Sequence, residues 1–245
     1  MRDVTTIPPI RADRRIRYGS DENQFIDLFD SSSGSLATVL MIHGGFWRKK
    51  YDLQHTSHMC AQFAKNGMDV ANIEYRRIGN VSGGWPATFQ DVTTAYAEIR
   101  KLFPDSPTIV CGHSAGGHLA LRLGSAAEGL VGVVALAPVA VLRDAYRLHL
   151  SNDAVAEFMG GTPDERPRDY DEACPSKHGL SVPAILIHGT EDDIVPISQS
   201  REYCKVRRNN TVRLIELPGT GHMELIDPES SAFTTVATAI TDLLR

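Results

Sequence analysis

A chain of 245 residues with 42% hydrophobic and 22% charged residues has enough apolar material for a sizeable core, which argues against an intrinsically disordered protein. Its net charge of -5, with no long basic run, argues against nucleic acid as a partner. No stretch is apolar over the length a bilayer demands, and the opening Met1-Arg-Asp-Val-Thr-Thr lacks the apolar centre of an export signal, so a cytoplasmic protein without a membrane partner is expected.

Pro8 and Pro9 begin a loosely held entry, in which Arg11, Arg14, Arg15 and Arg17 read as a solvated face. Gln24 to Phe29 alternates as an edge strand does, and Ser31 to Ser35 reads as a turn. Leu36 to Ile42 is a continuous apolar run, the mark of a strand covered on both faces, and it ends at His43-Gly-Gly-Phe-Trp47. A helix over 52–66 stops at Gly67, and a strand over 68–75 leads to a loop at 79–84. From Pro86 to Phe103, Phe89, Val92, Ala95, Tyr96 and Ile99 recur at helical spacing. Strands are expected at Thr108–Cys111, Val131–Leu136, Ala184–Ile187 and Val212–Leu217, with a closing helix over 230–244. Strands alternating with helices predict one α/β domain over 1–245, its mostly parallel sheet covered on both sides. Residues 139–182 exceed what a connection needs and read as a lid-like excursion or a surface decoration. Cys60, Cys111, Cys174 and Cys204 show no metal-type spacing and are expected to be reduced structural thiols.

Gly112-His113-Ser114-Ala115-Gly116 is a G-x-S-x-G turn between an apolar strand and a helix. Such a tight turn lifts its serine above the sheet, beside the free N–H groups that open the helix. A serine needs a base to take its proton and a third group to orient that base. Asp192, with Asp193 as the alternate, follows one predicted strand, and His222 follows the next on a loop whose turn is flanked by Gly219 and Gly221. Both therefore belong at the carboxyl edge of the sheet, where ligands collect in open α/β folds. The chain order Ser114, Asp192, His222 is the order a strand-to-helix elbow requires. The competing reading has the two aspartates capping a helix begun at Pro196. His43-Gly-Gly-Phe-Trp47 adds a glycine loop after a buried strand, so that the N–H groups of Gly45 and Phe46, with that of Ala115, are expected to hold an oxyanion. Trp47, Trp85 and His113 are read as lining a substrate pocket, with the aromatic pair equally at home in the core.

Taken together, His43-Gly-Gly-Phe-Trp47, the serine elbow, His188-Gly-Thr-Glu-Asp-Asp-Ile-Val-Pro196 and Gly221-His-Met-Glu-Leu-Ile226 resemble the α/β-hydrolase fold family. Within it, the chain is similar to the branch holding arylformamidases (kynurenine formamidases) and small carboxylesterases. The resemblance implies Ser114 as nucleophile, His222 as base and Asp192 as the acid of D-x-x-V-P. It also implies hydrolysis of an ester or activated amide of a small apolar or aromatic substrate, with no metal or organic cofactor. Acyl transfer to another acceptor, peptidase activity and a non-catalytic ligand-binding role are the alternatives, and a homodimer is left open.

Overall fold

The computed structural model describes residues 4–32, 34–207 and 211–245. Ser33 of the predicted turn and residues 1–3 at the start of the chain lie outside them. The elements in chain order are β1 (Arg14–Arg17), β2 (Phe25–Phe29), β3 (Thr38–Ile42), α1 (Ser57–Lys65), β4 (Asp69–Ile73), α2 (Ala87–Leu102), β5 (Thr108–His113) and α3 (Ala115–Ala126). There follow β6 (Leu130–Leu136), α4 (Leu142–Arg147), α5 (Ala154–Met159), α6 (Pro167–Ala173), β7 (Ala184–Gly189), α7 (Ser198–Val206), β8 (Val212–Leu217) and α8 (Ala232–Asp242).

The eight strands form one sheet in the order β1-β2-β4-β3-β5-β6-β7-β8. β1 and β2 pair antiparallel, as do β2 and β4, and every other pairing is parallel. Because side chains alternate across a strand, Val39 and Met41 of β3 join one apolar cluster while Leu40 and Ile42 join the other. The first cluster takes in Met59, Cys60 and Phe63 of α1 with Phe233 and Val236 of α8. The second takes in Leu119 and Leu123 of α3 and the stripe Val92, Ala95, Tyr96 and Ile99 of α2, spaced to fall on one helical face. The sheet is thus covered on both sides, and the fold is that of the α/β-hydrolases.

One expectation needs correction. Phe25–Phe29 is not an edge, because the arginine-rich Arg14–Arg17 pairs outside it as β1. The antiparallel ladder runs over four residue pairs, from Arg14 opposite Leu28 to Arg17 opposite Phe25, and ion pairs lie across it. Arg15 grips Asp27 of β2 through two bonds of 2.6 and 2.8 Å, and Arg14 reaches Asp30 at 2.7 Å. A charged edge strand also resists further pairing. Within the 139–182 excursion, the stretch 167–175 shows little apolar periodicity yet contains α6, started by Pro167 at its first turn and held by buried Tyr170 and Ala173.

Register fixes where the loops emerge. Ile42 lies beside Gly112, Gly112 beside Ala135, Leu136 beside Ile187, and Gly189 beside Leu217. The segments that follow β3, β5, β7 and β8 therefore leave the sheet along one edge.

Candidate active site

Ser114 stands between β5 and α3 with φ 58° and ψ -118°, a left-handed conformation that a non-glycine residue adopts only under constraint. The constraint comes from both sides. Its N–H donates to the Leu136 carbonyl at 2.8 Å, and its own carbonyl accepts from His118 at 3.1 Å. α3 can start this close to the sheet because residue 116 is glycine: a Cβ there would stand 2.1 Å from the Ile42 carbonyl oxygen.

Asp192 collects four donors. Oδ1 accepts the N–H groups of Ile194 and Val195 at 2.9 and 2.8 Å. Oδ2 lies 2.6 Å from His222 Nδ1 and 3.3 Å from His188 Nε2. Burial alone pushes this carboxyl up, but the hydrogen bonds from His188, His222 and Val195 outweigh it and hold Asp192 well below the usual carboxylate range. An ionised carboxylate only accepts, so His222 carries its proton on Nδ1 and leaves the Nε2 lone pair free. His188 is set likewise. Its Nε2 also faces the Val195 carbonyl at 2.8 Å, so that nitrogen donates and Nδ1 accepts from the Ser200 hydroxyl at 2.7 Å.

Ser114 and His222 open into one cavity of about 510 Å³. Neither the Ser114 hydroxyl nor His222 Nε2 is bonded to another group among the described residues. Gly45 and Phe46 line the same cavity, with Tyr51, Ile194 and Met223 as apolar walls. Gly45 has φ 108°, and a Cβ there would meet Tyr51 Cβ at 2.4 Å, so the loop after β3 requires glycine at this point. Phe46 and Trp47 continue it with φ 49° and 56°. The N–H groups of Gly45 and Phe46 find no acceptor among the described residues, and that of Ala115 opens α3, where no helical carbonyl reaches it. A second cavity, about 540 Å³, lies against β1 and β2; its lining includes Ser57 but no histidine.

The profile of the BD-FAE family matches residues 26–206, well over half of the chain. The chain belongs to the BD-FAE family. Among curated relatives, the esterase LipC of Mycobacterium tuberculosis is 26% identical over 93% of this chain. A kynurenine formamidase of Meyerozyma guilliermondii is 24% identical over 76% of each chain. This chain spans 64% of LipC's length. Of solved structures, a truncated carbohydrate esterase from gut microbiota superposes with a TM-score of 0.80 at 21% identity, covering 97% of this chain and 99% of that one. Esterase B of Lactobacillus rhamnosis gives 0.78 at 21% identity, covering 96% and 87%.

Two pocket expectations for this BD-FAE chain are corrected by the geometry. Trp47 is fully buried, stacked on Phe158 at 4.4 Å and set edge-on to His118, so it anchors the 139–182 excursion instead of lining the cavity. Trp85 stacks on Phe89 at 5.6 Å, also away from the cavity. His113 does line it. Asp193, the alternate acid, faces the cavity, whereas Asp192 meets His222.

Sequence reasoning passed over Glu74. Just beyond β4, its carboxylate binds His43 Nε2 at 3.0 Å, the N–H groups of Leu53 and Tyr75 at 3.2 and 3.0 Å, and Arg77 at 3.2 Å. Burial raises its pKa, but His43 and Arg77 bring it below the ordinary value. His43, stacked on Tyr75 at 4.4 Å, is thereby braced at the root of the Gly45–Phe46 loop. An acidic residue directly after a buried strand was the available signal. Among the described residues, no group of histidines, cysteines and acids is placed to hold a metal ion.

Proposed function

We propose that this protein is a serine hydrolase that cleaves an ester or formamide bond of a small substrate. The observation that carries this is the buried Asp192–His222 pair, which leaves His222 Nε2 bare in the cavity that Ser114 enters from a strained elbow. In the first half-reaction, His222 Nε2 takes the Ser114 proton as Oγ attacks the carbonyl carbon. The oxyanion sits among the N–H groups of Gly45, Phe46 and Ala115, where each preorganised donor is worth about 2.7 to 4 kcal/mol of barrier. The imidazolium then protonates the leaving group. Water, deprotonated by His222, releases the acyl group as a free acid, which is formate in the case of a formamide.

A cavity of about 510 Å³ with Phe46, Tyr51, Ile194 and Met223 on its walls suits a short acyl group and an apolar or aromatic remainder. One unit carries every part of the reaction, with 139–182 as the cover of the site, and the cytoplasm is the compartment we assign. Relatives named as esterases and as kynurenine formamidases support both bond types. Incubation with 4-nitrophenyl acetate, 4-nitrophenyl butyrate, N-formylkynurenine and an aminoacyl anilide, beside Ser114→Ala, tests the reading. Turnover of the esters or the formamide is expected to fall about a millionfold in the variant. Undiminished turnover by Ser114→Ala, or cleavage confined to the anilide, overturns it.

A further inference from the structure

We propose that His113, the residue before the nucleophile, is a positioning residue that holds His222 in register with Ser114 and the oxyanion loop. This rests on the serine-hydrolase reading above. His113 is only 2% exposed, and its Nε2 lies 3.1 Å from the backbone carbonyl of His222. A carbonyl only accepts, so Nε2 carries the ring proton and donates it, leaving Nδ1 as a bare lone pair. That Nδ1 is buried without a partner among the described residues. It abuts Gly44, where a Cβ would come within 3.1 Å of it. The two imidazoles lie 4.4 Å apart, tilted by 46°.

One ring therefore touches three parts of the site. Its backbone carries Ser114, its proton holds the carbonyl of His222, and its bare edge rests on the loop that presents Gly45 and Phe46. Neutrality is part of the role. Burial first, then the neighbouring His222 and His55, push the pKa of His113 well below the ordinary histidine value, against the opposing pull of Asp192. A second cationic ring beside His222 would oppose the imidazolium that each proton transfer creates there. The bond to a backbone carbonyl consumes the only proton His113 has to offer, and its Nδ1 is buried, so the ring presents no polar atom to a substrate in the cavity it lines.

His113→Gln and His113→Met test this, because the two side chains are close in size and only glutamine has an N–H to give. Misplacement of a catalytic group by about 1 Å costs on the order of 100-fold. We expect kcat of His113→Met to fall about 30- to 100-fold at unchanged KM. His113→Gln should recover most of that loss, and fluorophosphonate labelling of Ser114 should slow in parallel with kcat. The inference is overturned if the folded methionine variant turns over like the wild type, or if both variants lose kcat equally. It also falls if KM rises instead of kcat falling, as a substrate-binding side chain would require, or if neither variant folds, which makes the ring a packing element. Wild-type protein that the fluorophosphonate leaves unlabelled refutes the serine-hydrolase reading itself, an outcome distinct from labelled wild type with an indifferent methionine variant.

Discussion

Asp192 illustrates how much one side chain depends on its hydrogen-bond partners. Its four donors come from the backbone of its own turn and from two histidines, His188 near the end of β7 and His222 in the loop after β8. Replacing it by asparagine keeps the shape but lets the amide donate, which favours the His222 tautomer with the proton on Nε2. That nitrogen then has no lone pair with which to take a proton from Ser114. We expect Asp192→Asn to fold normally and to lose about 10⁴-fold in kcat. Steady-state kinetics on a 4-nitrophenyl ester with circular dichroism alongside checks this, and a loss below tenfold would move the acid's role to Asp193.

At the scale of elements, loops that share one sheet edge must still be fastened to one another. Glu74 does this for the β3 and β4 ends, joining His43, Leu53, Tyr75 and Arg77 at 2% exposure. Arg48 does it for the excursion, through Glu157 at 2.8 Å, the Asn152 carbonyl at 3.1 Å and the Ser151 hydroxyl at 3.2 Å. Ser151, Asn152 and Asp153 all have positive φ, so that turn is under strain where it meets the cavity. The two fasteners differ in weight. Arg48 and Glu157 are partly solvated, with side chains 26% and 47% exposed, and such pairs contribute little. Removing Glu74 strands a buried arginine and histidine, so Glu74→Ala should lower unfolding free energy by about 3 to 5 kcal/mol. Urea titration measures it, and a shift under about 1 kcal/mol would show that water or a neighbour replaces the carboxylate.

Over the whole molecule, buried histidines set the response to acid. Burial pulls His55 and His118 down to about 3, from an ordinary value of 6.5. His113 shifts in the same direction. The folded chain refuses protons that the unfolded chain accepts below pH 6.5. Stability is therefore complete above that pH and drains away as pH falls toward 3. For His55 and His118 together the slope reaches about 2.7 kcal/mol per pH unit inside that window. Asp192 adds to the loss only below its unfolded value of 3.8. The urea midpoint should hold steady from pH 8 to 7 and drop from pH 6 to 5; a midpoint that rises on acidification contradicts the burial of these rings as neutral species. All four cysteines are free, and no helix among the described residues is long and apolar enough to cross a membrane.

What the sequence alone determined was local. The strand cores, the elbow glycines and the loop-borne Asp192 and His222 follow from patterns within about ten residues, because apolar periodicity and turn chemistry act at that range. β1 escaped notice because the strand it pairs with, and the Asp27 and Asp30 its arginines meet, lie more than ten residues away, and charge looks like solvent exposure until its partner is known. Trp47 and Trp85 went to the core for the same reason: an aromatic ring next to a site motif has no direction in sequence, and Phe158 and Phe89 supplied it. Glu74, Arg48 and His113 gained their roles only when the sheet brought separate loops to one edge. Long-range polar contacts have no period to read, and so the tertiary structure alone decided them.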